Sequence, residues 1–240
     1  MSIFKLNENV VQEEEIDSLG GGLLDSALYD FKIEMAYLSK VKSGAMQVNL
    51  TFKTKESKTL RERGFISSGD AKGNKFTYTD KEGKERPLPD FAKLDTLCKL
   101  AIGKSLQELE PEQKTIKVYD PELKKEVPTQ VPVLMDLIGA DITAGVLRVV
   151  EDKTSKDSTG AYTPTGETRE TNIIDKYFRT EDKLTVAEIK AEATEAAFYG
   201  KWEEKNKGKV VNKAKGVAGN SGTAGAPTST APNPTKSLFS

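Results

Sequence analysis

Between Leu60 and Pro89 the chain interleaves cations and aromatic rings in two short runs separated by turn residues. Arg61, Arg63, Lys75, Lys81, Lys84 and Arg86 supply positive charge, and Phe65, Phe76 and Tyr78 supply rings at the alternating spacing of strands. Single-stranded nucleic acid demands both, because cations neutralise phosphates and rings stack on unpaired bases. The competing reading is a solvent-facing antiparallel hairpin whose rings enter a core, since exposed sheets alternate in the same way. The pairing of ring and cation recurs at Tyr119 with Lys124 and Lys125, and at Tyr162 with Arg169, which favours a binding surface. The candidate nucleic-acid contacts are therefore Arg61, Arg63, Lys75, Arg86, Lys124, Lys125 and Arg169 for phosphates, with Phe76, Tyr78, Tyr119 and Tyr162 for bases. Phe65 is equally compatible with a core.

Composition closes off most catalytic chemistry. Cys98 is the only cysteine and there is no histidine. Disulfides within the chain, thiolate or imidazole zinc sites, Ser-His and Cys-His pairs and a histidine acid or base are all excluded. Ile102-Gly103-Lys104-Ser105 resembles the end of a phosphate-binding loop, but that motif needs a glycine where Cys98 stands and a strand before it, where this sequence has a helix. Asp90, Glu122 and Lys124 could in principle serve magnesium-dependent phosphodiester cleavage, which needs only carboxylates, a lysine and the metal. They fall at a helix start and in a turn, whereas such nucleases place them on adjacent strands. The expectation is a non-enzyme with no cofactor and no metal; the alternatives are that nuclease, or a structural or adaptor protein without DNA affinity.

The elements that must position these residues follow from periodicity. Tyr29, Phe31, Ile33 and Met35 alternate with polar residues, as do Val48, Leu50 and Phe52, so both segments are expected to be half-buried strands, joined by a ten-residue turn region around Ser43-Gly44. Pro89-Asp90 opens a helix whose apolar positions Phe91, Leu94, Leu97, Cys98 and Ala101 recur at three and four, with Gly103 as its stop. Cys98 is thereby a small core residue. Short strands are expected at 116–119 and 127–133, and a fuller one at 141–151 whose change of phase at Gly145 implies a bulge. Residues 154–168 read as a polar loop, 170–179 as a closing strand. Thr185 and Glu188 form a capping box for one last helix, with Trp202 beside Phe198. The expected fold is mainly β, an OB-like five-stranded Greek-key barrel with an inserted helix and a C-terminal helix, flexible at both ends.

The chain carries 36 basic and 37 acidic side chains, unevenly placed. Residues 1–22 hold Lys5 against Glu8, Glu13, Glu14, Glu15 and Asp17 and end in three glycines, which reads as a flexible acidic arm. Residues 23–207 are the expected domain, and 208–240, rich in glycine, alanine, serine, threonine and proline, are expected to be disordered. No run approaches the roughly twenty apolar residues of a membrane span, and the acidic start is unlike a signal peptide, so a soluble protein in a reducing cytoplasm is expected.

The segments DKEGKERPLPDF, KVYDPELKKEVPTQVPVL, GVLRVVEDK, YTPTGETRETNIIDKYF and TVAEIKAEATEAAFYGKWEEKNKGK are similar to the single-stranded DNA-binding proteins of lytic podophages that carry a giant virion RNA polymerase. The similarity spans about residues 29 to 209 and leaves the ends uncovered. It implies an OB-like fold, no catalysis, and coating of exposed strands during phage DNA replication, recombination and transcription in the cytoplasm of the infected bacterium. It also implies contacts with phage replication proteins and with phage or host RNA polymerase. The last residues depart from the acidic, aromatic-tipped tails by which many replication proteins of this kind recruit partners: here they run Lys236-Ser237-Leu238-Phe239-Ser240.

Overall fold

The computed structural model describes residues 22–120, 123–156 and 162–215. The first strand, β1 (Ala27–Lys40), pairs along one edge with β2 (Met46–Lys53), which pairs in turn with β3 (Thr59–Phe65). The β1–β2 connection is a tight turn closed by Gly44 N–H to Val41 O, with Gly44 at φ 78°, so the expected ten-residue turn region is too long. A separate two-stranded sheet follows, β4 (Thr77–Thr79) on β5 (Glu85–Pro87). Next comes α1 (Pro89–Ile102), with proline in its first turn and Gly103 in the left-handed conformation as its stop, as the spacing predicts. The chain continues through the hairpin of β6 (Glu112–Asp120) and β7 (Lys125–Val133), then β8 (Asp141–Lys156) and β9 (Tyr162–Phe178).

The protein is mainly β, built of open antiparallel sheets with few helices. The main sheet runs β10-β8-β1-β2-β3, with β9 on β8 and β7 on the other part of β1. Its last member, β10 (Val210–Asn212), lies within the stretch expected to be disordered. Residues 216–240 and the expected arm up to residue 21 are outside the described residues. The polar loop expected at 154–168 is also corrected: Thr154 to Lys156 extend β8, and β9 already begins at Tyr162. Ladder hydrogen bonds satisfy this polar backbone without apolar side chains, which is why periodicity gave no strand signal there.

The inner face of the sheet is made by Phe31, Ile33, Ala36 and Leu38 of β1, Val48, Leu50 and Phe52 of β2, and Ile142, Ala144 and Val146 of β8, all in one core with Leu94, Leu97 and Cys98 of α1. Each large side chain buried there contributes about 1.5 to 3 kcal/mol. Burial, with Asp95 nearby, pushes the Cys98 thiol up to about 12, in keeping with its reading as a packing residue.

A bulge sits in β1. Ile33 pairs with Phe52, and Met35 pairs with Thr51, so the inward set changes from Phe31 and Ile33 to Ala36 and Leu38, and Met35 turns outward. In β8 no bulge interrupts the pairing with β1 at Gly145: the register runs unbroken from Ala27↔Val146 to Lys32↔Asp141. The apparent phase change there arises because Ile142 to Leu147 and Val149 are buried, on both faces of the strand, the second face being covered by Trp202, in a smaller core with Leu147, Val149 and Phe178. Trp202 lies in α3 (Ala197–Asn206), which is separate from α2 (Val186–Lys190). The single expected helix divides because Glu192, just past α2, adopts φ 53°. The Thr185–Glu188 capping box forms as expected, and the Trp202 indole donates to Asp175 at 2.7 Å.

The described residues divide into two compact units, one within 22–149 and Glu170–Val211, the other within Val150–Arg169 and 212–215.

A Cβ added at Gly145 would lie 2.6 Å from the Trp202 ring, in contact with ring atoms that cannot swing aside. Gly145→Ala is expected to lower stability by about 1 to 3 kcal/mol through overpacking. Trp202 is the only tryptophan, so its fluorescence during urea unfolding reports both the shift in midpoint and the altered ring environment.

Candidate nucleic-acid interface

The bulge in β1 gives the sheet a bare outer face. Paired residues on adjacent strands point to the same side. The register therefore aligns Arg63, Asn49 and Tyr37 in one row, Arg61, Thr51 and Met35 in the next, and Phe65, Gln47 and Ser39 in a third. Tyr37 also pairs with Val133 of β7, which pairs with Glu112 of β6, so the first row continues across five strands. Two cations and two rings thus share one face with the amides of Asn49 and Gln47. The Asn49 side chain is buried and donates to the Ser39 hydroxyl at 2.9 Å, which fixes its orientation.

Arg61 and Arg63 are exposed, and among the described residues neither forms an ion pair or a side-chain hydrogen bond. Burial pushes the Tyr37 hydroxyl above its ordinary value, and the guanidiniums of Arg63 and Arg61 partly pull it back, which places both charges near the ring. Phe65 is 49% exposed and belongs to this face, which decides against a core role. Its N–H donates to Asp90 at 2.7 Å, and Gly64 leaves room for that carboxylate: a Cβ there would come within 2.9 Å of it.

Beneath the face, Glu62 points inward between its two arginine neighbours. It pairs with Lys93 of α1 and accepts the Tyr177 hydroxyl at 2.7 Å, while Lys93 also donates to the Ile174 carbonyl of β9. Side chains thereby join β3 to β9 where, among the described residues, no strand ladder does. Burial, then the Glu62 charge, hold the Tyr177 hydroxyl well above its usual value.

The remaining expected contacts fall in separate places. Tyr78 and Arg86 pair across β4 and β5, and Lys75 precedes that hairpin. Arg86 is already tied to Asp80, whose carboxyl it holds below the usual value. Phe76 commits one side of its ring to Phe91 of α1, at 5.6 Å between centroids, and leaves the other exposed. Lys124, at φ 52°, and Lys125 lie at the β6–β7 end and form no ion pair among the described residues. Tyr119 is exposed there, but by register it faces the opposite side from Tyr37. Tyr162 and Arg169 belong to the other compact unit, where Lys156 lies 5.4 Å from the Tyr162 ring centre and Arg169 is paired with Glu151 at 2.8 Å.

Tyr37 was missed because the alternation of Tyr29, Phe31, Ile33 and Met35, extended, makes Tyr37 a core residue; Asn49 falls on the polar side of its strand as its period requires but carries neither charge nor ring. The available signal was the second apolar pair, Ala36 and Leu38, out of phase with Phe31 and Ile33. For the nuclease reading, Asp90 is engaged with the Phe65 N–H and Glu122 lies outside the described residues. Among the described residues no three or more cysteine or acidic side chains cluster as metal ligands, and no helix is long and apolar enough to cross a membrane. Compared with protein families and with curated protein sequences, the chain matches none.

Tyr177→Phe removes a hydrogen bond to a charged, largely covered acceptor and is expected to cost about 1.5 to 3 kcal/mol. Native Tyr177 stays protonated beyond its unfolded value of about 10, so its contribution is full below that pH and falls as pH rises through and above it. Urea midpoints measured from neutral to alkaline pH should show the variant less stable at neutral pH, with a smaller alkaline loss than the parent.

Proposed function

We propose that this protein binds single-stranded DNA with little sequence preference and coats exposed strands without catalysing a reaction on them. The observation that carries this reading is the bare outer face on which Arg61, Arg63, Tyr37 and Phe65 come together, the two guanidiniums unpaired and the rings exposed or half-buried. Arg61 and Arg63 neutralise phosphates and Tyr37 and Phe65 stack bases, with Asn49 and Gln47 between them as hydrogen-bonding partners. Tyr78 and Arg86 on the β4–β5 hairpin, Lys75 just before it, and Lys124 and Lys125 at the β6–β7 end extend the contact at lower weight, while Tyr119 faces the other side. Arg86 and Arg169 must first give up their carboxylate partners, and surface pairs of this kind are weakly held.

An OB-like architecture is part of the proposal. In its support, three meandering strands lead, through the β4–β5 hairpin, to a helix, and after the β6–β7 hairpin β8 pairs with the edge of β1 opposite β2. The resemblance of the chain to podophage single-stranded DNA-binding proteins supports a role in phage replication, recombination and transcription. On that reading the working partners are phage replication proteins and phage or host RNA polymerase, in the cytoplasm of the infected cell.

Fluorescence anisotropy with a labelled oligothymidine tests this. Tyr37→Ala should weaken binding roughly five- to a hundredfold, the loss of about 1 to 3 kcal/mol of stacking. Arg63→Ala should reduce the slope of log affinity against log salt by about 0.7, one phosphate contact on a single strand. Arg169→Ala should change the slope less than Arg63→Ala does, and duplex DNA of the same length should bind more weakly. Parent-like binding by both Tyr37→Ala and Arg63→Ala would overturn the assignment of the face. Magnesium-dependent degradation of the DNA that disappears in Glu122→Gln would instead establish the nuclease.

A further inference from the structure

Two adjoining hollows flank α1. One, of about 890 Å³, is lined by apolar side chains that include Ile66, Phe76, Phe91, Leu109 and Val186. The other, of about 590 Å³, shares Ala92, Thr96 and Val186 with the first and continues past Lys176 and Phe198. Together they make an apolar channel along the helix, and their volumes lie within or near the range of sites that enclose substantial ligands.

Charge on the lining is unbalanced. Its acidic groups are all used by the fold: Asp95 receives Lys99, the Ser105 hydroxyl and the Leu106 N–H, Glu188 closes the capping box and receives the Phe198 N–H, and Asp175 receives the Trp202 indole. Two of its cations are not. Lys190 has no ion pair or hydrogen bond among the described residues, and Lys176 has only the Phe198 ring, 5.7 Å from its ammonium. An apolar channel with spare ammonium groups selects an occupant that is apolar and acidic.

The chain itself supplies such a segment. Residues 3–17 contain Ile3, Phe4, Leu6, Val10, Val11 and Ile16 among Glu8, Glu13, Glu14, Glu15 and Asp17, with Lys5 as the only cation. Its point of entry is close to the channel. Leu24 is held through its N–H and carbonyl by Asn172, at 2.8 and 2.7 Å. Asn172 lies three residues along β9 from Asp175 on the channel wall, a distance of roughly 10 Å at ~3.3 Å per residue. The intervening residues 18–23 can span up to about 20 Å.

We propose that residues 3–17 seat along α1 of their own chain, with apolar side chains in the two hollows and carboxylates against Lys176 and Lys190. The channel is distinct from the sheet face assigned to DNA, so this inference stands apart from the proposed function.

A carbodiimide, which joins a carboxylate directly to an amine in contact with it, tests the proposal on the full chain in a dilute equal mixture of isotope-labelled and unlabelled copies. Mass spectrometry should find Glu13, Glu14, Glu15 or Asp17 linked to Lys176 or Lys190, within copies of one isotope. The double variant Phe4→Ser with Leu6→Ser, which leaves the described core untouched, should lower the yield of these links about tenfold or more, as loss of two apolar side chains from a hollow requires. Links spread evenly over lysines remote from α1, such as Lys32 and Lys117, would overturn the proposal, as would a yield unchanged in the variant. Links mainly between labelled and unlabelled copies would show a second copy as the occupant and overturn seating within one chain.

Discussion

The contact among Glu62, Lys93 and Tyr177 holds together what the strand pairing leaves open. The sheet path ends at β3, and an edge strand with free N–H and C=O groups is ordinarily a liability. Here one carboxylate reaches the ammonium of α1 and the phenol of β9, so that helix and that strand close against β3 through side chains. Removing one partner of a covered pair strands the other's charge, and that penalty exceeds what forming the pair contributes net. The contact therefore works as a constraint on geometry. It requires Glu62 to point inward, and alternation then requires Arg61 and Arg63 to point outward.

The bulge between Ile33 and Met35 divides the other side of the sheet. Before it, the outer residues of β1 lie beside those of β8 that Trp202 covers; after it, they lie beside the outer residues of β2 and β3, which α3 does not cover. One strand thus serves a second small core with its first half and a bare polar-aromatic face with its second. The phase change is what allows both, because an unbroken alternation would carry Met35 and Tyr37 into the main core.

Much of this was legible in the residues. β1, β2, α1, its glycine stop, the capping box and the burial of Cys98 follow from period and end signals, since each is a local preference that packing agrees with. The misses share a physical cause. A strand buried on both faces mimics a bulge, as in β8, and a polar ladder outside any core looks like a loop, as at the start of β9. Among the candidate site residues, Arg61 and Arg63 are exposed and unpaired among the described residues, whereas the pairing of Arg86 with Asp80 and of Arg169 with Glu151 depends on cross-strand neighbours that a linear reading does not reveal. Phe65 was ambiguous because a ring at a strand end suits either face; its alternation with Arg61 and Arg63 puts it on the outer one.

The segment Thr59–Phe65 is close to neutral when its charges are simply counted, yet folding separates them. Its arginines stand on one side of the sheet, and its glutamate is neutralised on the other by Lys93. With 36 basic against 37 acidic side chains, the molecule has almost no net charge to attract a polyanion from afar. What it has is a directional field that fades over about 8 Å at physiological salt. On the proposed reading, association is orientation-limited: a strand arriving at the wrong side feels little, and capture begins only within reach of β3.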